Sequence, residues 1–134
     1  MRSAKKYSEV FSRLALFIIF FYFGTLKVLH ISPIAELVAA LQQKTLPFVE
    51  FNFFFILFGL FEMTIGTLFL IRGLERVALG AHISHLAMTT LPLFILPDFT
   101  WQGALVPTLI GQYIIKNLAL LALSISLVVQ RRKK

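Results

Sequence analysis

The stretch FNFFFILFGLFEMTIGTLFLIRGLER, Phe51–Arg76, decides the fold. From Phe51 to Ile71 it is almost unbroken apolar sequence, and an α-helix needs about 20 such residues to cross the hydrocarbon core of a bilayer. Arg72 and Arg76 then flank a short turn, and a second apolar run opens at Leu74. Within the first run Glu62 follows Gly59 by three residues and precedes Gly66 by four, so the three share one helical face. Small residues on that face let another helix approach closely.

Three further segments read in the same way. The spans run from about Ser8 to Ile31, Phe51 to Ile71, Leu74 to Ile95 and Pro107 to Val129. None shows the alternating dyad pattern of a membrane barrel. The expected fold class is all-α: a single-domain integral membrane bundle of four transmembrane helices over residues 1–134. Composition agrees. Of 134 residues 58% are hydrophobic and 14% charged, with fifteen phenylalanines, and mean hydropathy is +0.86. Soluble domains run at about 45–50% apolar and about 25% charged, and a soluble fold this small could not hide so much apolar surface. The run after MRSAKK has no small-residue cleavage site and continues into GTLKVLH, which predicts a retained first span and not a cleaved signal peptide.

The net charge of +7 is concentrated at membrane flanks. Arg2, Lys5, Lys6 and Arg13 open the chain, Arg72 and Arg76 flank the central turn, and Arg131, Arg132, Lys133 and Lys134 close it. The connections Ser32–Glu50 and Pro97–Val106 hold Lys44 against Glu36, Glu50 and Asp98. The positive-inside rule therefore places both termini and the central turn in the cytoplasm, and Trp101 in the outer interfacial belt. This pattern is not a nucleic-acid footprint, so the expected surroundings are lipid bilayer and no nucleic acid. Absence of cysteine excludes disulfides and thiolate metal sites.

In the first outer connection, SPIAELVAALQQ predicts a short amphipathic helix on the outer surface or across the bundle end, with Ser32 as N-cap, Pro33 in the first helical position and an apolar face of Ile34, Leu37, Val38 and Leu41. Pro92 should kink the outer end of the third span. The two helical hairpins show no internal repeat.

Ionisable groups at membrane depth are costly and usually face the bundle interior. They are Lys27, Glu62, His82, His85 and Lys116. At about 1.5 Å of rise per residue, Glu62 and His85 fall near the midplane, about 14 Å deep, and Lys27 and Lys116 about 21 Å deep. Gln112 and Lys116 share a face with Ala119, and Asn117 adjoins it. This polar set predicts an interior site: Glu62 and His85 as proton-handling groups, with Lys27, Lys116, Asn117 and Gln112 as ligand-binding groups. Each member also has a structural reading. Lysines can reach back to the interface, Glu62 can pair with His85 or a lysine to hold the bundle, and His82 can serve packing alone. Histidines three residues apart can share a metal ion, but no second motif supports a metal or haem site.

Three segments carry a resemblance: FGTLKVLHISPIAELVA in the first hairpin, GLFEMTIGTLFL in the second span and PTLIGQYIIKNLALLA in the fourth. Together they resemble the DoxX-like superfamily, and within it the small inner-membrane branch that includes the reactive-chlorine-resistance proteins, over about Arg13 to Leu127. The resemblance implies a compact four-helix membrane bundle in the bacterial inner membrane. It also implies a link to thiosulfate:quinone oxidoreductase subunits and oxidative-stress defence, with Lys27, Glu62, Lys116 and Asn117 on the family's polar positions. The expected function is a redox-linked, quinone-interacting membrane subunit working with a partner oxidoreductase, with quinone as the ligand to look for. A proton-coupled transporter of small solutes and a non-catalytic scaffold are the alternatives, and a homo-oligomer remains open.

Overall fold

The computed structural model describes residues 1–132, so Lys133 and Lys134 of the basic tail lie outside the described residues. Four helices are long and apolar enough to span a membrane, and the chain is a multi-pass helical membrane protein. Helix α1 is Arg2–Val28, α2 is Ala35–Thr45, α3 is Phe51–Leu70 and α4 is Glu75–Thr90. The short helices α5, Pro92–Ile95, and α6, Pro97–Thr100, follow. A small antiparallel hairpin, β1 Trp101–Gly103 and β2 Val106–Pro107, then leads into α7, Leu109–Arg132.

The local chemistry explains the boundaries. Helix α1 begins about two turns before the predicted span, and the four-residue spacing of Glu9 and Arg13 sets them on one helical face. The helix ends at Val28; two residues on, the left-handed φ of 59° at His30 turns the chain, while Ile31 N–H donates back to Leu26 O. Helix α2 starts after Ser32 and Pro33, two residues later than predicted. Ser32 Oγ accepts from the Ile34 N–H at 3.4 Å, a turn ahead of the helix and not a cap on it. The Glu50 carboxylate caps α3, accepting from the N–H groups of Asn52 at 2.9 Å and Phe53 at 2.8 Å.

Between α3 and α4 the turn depends on Gly73, at φ +101°, whose N–H donates to Glu75 Oε2. Proline breaks the third span: Pro92 has no N–H to continue the ladder, α4 ends at Thr90, and the chain restarts as α5. Pro107, predicted to open the fourth span, pairs instead with Trp101 in the hairpin, and α7 begins at Leu109.

The four long helices form a ring in the order α1, α3, α4, α7, closing back onto α1. The α1–α3 contact is the tightest because glycine meets glycine. A Cβ on Gly24 would lie 2.5 Å from Gly59 O, and one on Gly59 would lie 2.6 Å from Gly24 O. Towards the α3–α4 turn the ring is filled by Leu16, Phe20, Ile65, Phe69, Ala78 and Leu127. At the opposite end the ring is not filled by its own helices. There α2 packs Leu37 against Leu96 and Ile114, and Val38 against Phe55 and Phe58.

Candidate functional site

Glu62 sits on the glycine-bearing face of α3 and is 5% exposed. Its carboxylate accepts from two other helices. Lys27 Nζ on α1 donates to Oε2 at 2.8 Å, and His85 Nε2 on α4 lies 2.7 Å from Oε1. The close glycine contact lets Lys27 reach α3, since a Cβ on Gly59 would lie only 3.0 Å from the Lys27 Cβ. Aromatic rings enclose the triad. The Lys27 ammonium stands 5.3 Å from the Phe58 ring centroid, and Phe58 stacks on His85 at 5.3 Å. Phe20 meets both His85 and His82 edge-on.

His82 lies one helical step below and is 1% exposed. Its Nδ1 is 2.7 Å from Ser124 Oγ on α7, and that hydroxyl donates to Leu120 O at 2.8 Å. A hydroxyl has one proton to give. With that proton on Leu120 O, His82 Nδ1 must be the donor and Ser124 the acceptor.

Above these groups is a cavity of about 530 Å³. Glu62, His82, His85 and Phe20 line its floor, Leu37, Val38 and Leu41 of α2 its roof, and Ile110, Ile114 and Asn117 of α7 one wall. Its lining is otherwise almost wholly apolar. Ile19 and Phe23 of α1 and Leu109 and Tyr113 of α7 also border it, and Phe23, Leu109 and Tyr113 are exposed. The cavity thus opens sideways between α1 and α7, along the apolar helices. A site of this size, apolar with a few convergent polar groups, is the usual form of a small-molecule pocket.

The structure divides the predicted set. It brings Lys27, Glu62 and His85 together, with His82 beside them, and sets Asn117 half-buried in the cavity wall. It leaves Lys116 and Gln112 apart from them. Both are exposed on the outward side of α7, so Lys116 does not meet Glu62, and Lys27 fills that role from α1. Identity alone could not separate them: a lysine four residues from a glutamine marks a face but not its direction.

Sequence reasoning missed a second buried ionic cluster, at the α3–α4 turn. Arg13, 4% exposed, binds Glu9 on its own helix, Glu75 at the start of α4 and Phe69 O at the end of α3. Arg131 Nε at the end of α7 adds a contact to Glu75 at 2.9 Å. The start of α1, the start of α4 and the end of α7 therefore meet at one end of the bundle. The four-residue spacing of Glu9 and Arg13 was the available signal. Ser124, the partner of His82, gave none. Among the described residues no group of three or more metal-ligating side chains is disposed to hold an ion. No protein-family model, curated protein or solved structure matches the chain.

Proposed function

We propose that the chain is a DoxX-like membrane protein of the bacterial inner membrane, with both termini and the α3–α4 turn in the cytoplasm. In this reading it acts as a quinone-interacting subunit beside a partner oxidoreductase, in defence against oxidative stress. One observation carries the reading: a laterally open apolar cavity whose floor is a carboxylate–imidazole pair backed by a lysine. A lipid-soluble ring can enter from the bilayer between α1 and α7 without crossing water. Its polar groups then meet His85 and His82, and its isoprenoid tail stays among Phe23, Tyr113 and lipid. A quinol losing two electrons to the partner also loses two protons; the His85–Glu62 pair is placed to relay them in turn, holding neither at rest. The electrons pass to a partner carrying flavin, haem or an iron–sulfur centre. Helix α2, amphipathic and on the outer side in this orientation, roofs the site.

Mild-detergent purification from native membranes, followed by solvent extraction and mass spectrometry, tests the reading. A stoichiometric isoprenoid quinone is expected in the wild type and not in Ile110→Trp, which fills the cavity. Bulk phospholipid alone in both proteins would refute it and redirect attention to pH-dependent uptake into proteoliposomes.

A further inference from the structure

The cavity floor has a hydrogen-bonding polarity that follows from its neighbours. His85 Nε2 faces a carboxylate oxygen of Glu62 and must carry its proton there, which leaves Nδ1. His82 donates from Nδ1 to Ser124, which leaves Nε2. Neither remaining nitrogen has a hydrogen-bond partner among the described residues. No side-chain nitrogen or oxygen there is both sealed from open space and unpartnered, and the open space that both rings line is the cavity. Charge counting argues for uncharged rings. Lys27 and Glu62 already balance one another at 2.8 Å. A further cation on either imidazole would stand uncompensated among Phe20, Phe58, Phe61 and Phe69, an arrangement apolar surroundings disfavour. Two neutral imidazoles held in these tautomers offer the cavity two lone pairs and no proton.

We infer that the cavity selects the hydroxyl-bearing form of an amphipathic aromatic ring, a phenol or hydroquinone, over the carbonyl form, with the hydroxyl donating to His85 Nδ1 or His82 Nε2. The inference rests on the quinone reading for its biological ligand, but the selectivity belongs to the floor itself. A quinone carbonyl is an acceptor and finds only acceptors there. The donors in the lining stand off the floor: the Asn117 amide and the hydroxyls of Ser32, Thr89 and Tyr113. Leaving buried acceptors without a donor wastes their desolvation, whereas a hydroxyl satisfies them.

The test compares three probes with the same six-membered ring and tail on the full-length wild-type protein in detergent: 2-decyl-1,4-hydroquinone kept reduced under argon, its dimethyl ether, and 2-decyl-1,4-benzoquinone. Equilibrium dialysis reads the affinities. The hydroquinone should bind roughly tenfold more tightly than either of the others, the worth of one well-made buried hydrogen bond. His82→Phe and His85→Phe should each shrink that ratio. Quinone binding as tight as hydroquinone, or three equal affinities, would overturn the inference while leaving a quinone site standing. No binding by any probe would overturn both. The three probes are compared on wild type, so the outcome does not depend on either variant folding.

Discussion

Glu62→Gln keeps the side chain's shape and removes one charge. In the wild type the carboxylate holds Lys27 at 2.8 Å and His85 at 2.7 Å, binding α3 to α1 and to α4. The amide can still accept one hydrogen bond, but it leaves the Lys27 ammonium, 5% exposed, without a counter-charge. Removing one partner of a buried ion pair costs about 3–5 kcal/mol. A neutral interhelical hydrogen bond in a membrane protein averages only about 0.6 kcal/mol. The Phe58 ring under Lys27 offsets some of the loss, since a desolvated cation–π contact is worth up to about 2 kcal/mol. The expected cost is therefore near the lower bound, about 3 kcal/mol, or roughly a hundredfold in the folding constant. Unfolding by sodium dodecyl sulfate in mixed micelles, followed by circular dichroism, measures it. A cycle with Lys27→Met isolates the pair: the double variant holds no orphaned charge and should recover about 2 kcal/mol relative to the sum of the single changes. A cost for Glu62→Gln below about 1 kcal/mol, with the two changes additive to within about 0.5 kcal/mol, would show that this ion pair does not hold α1 to α3.

Gly24→Ala should destabilise the bundle by about 1–3 kcal/mol, because the added methyl would meet backbone of α3 and cannot be relieved by a side-chain rotation. Gly80→Ala, where nothing lies within 4 Å, is the matched control and should gain up to about 1 kcal/mol from helix propensity in the same unfolding assay. Lys116→Met, on the outward side of α7, should leave stability within about 0.5 kcal/mol of wild type and probe affinity unchanged; a large loss of either would mean that this face meets something essential. The Glu50 carboxylate is held below its ordinary value of 4.5 by the Phe53 and Asn52 N–H groups it caps. A lowered value stabilises the fold above the unfolded value and loses that contribution as pH falls through the folded one. Hydrogen-exchange protection at Asn52 and Phe53 should thus hold above pH 4.5 and decline below it, and Glu50→Gln should abolish that pH dependence.

The spans were legible because bilayer thickness imposes a length, and a run such as Phe51–Ile71 satisfies it whatever surrounds it. Breaks tied to backbone chemistry were legible too: Pro92 interrupts the third span because it has no N–H to give. Element ends were less so. His30 turns the chain after α1 in a left-handed conformation that no residue pattern announces, and the tight hairpin through Leu105 appeared only as a loop.

The site was half legible. Lys27, Glu62 and His85 were marked by the cost of ionisable groups at membrane depth, and that cost acts on every sequence alike. Which groups satisfy one another is a different question. Gly59 and Gly66 indicated a close approach, but not that Gly24 would be the partner and so bring Lys27 rather than Lys116 to Glu62. Arg13 looked like a membrane-flanking charge until the start of α4 placed Glu75 beside it. The sequence by itself determined that this chain has four segments long and apolar enough to cross a membrane and carries an expensive set of polar groups, because hydrophobicity and desolvation are properties of residues one at a time. The tertiary structure alone decided which of those groups face inward, which partners the histidines meet, and that α2 roofs a cavity above them, because helix rotation and hydrogen-bond partnership exist only between helices.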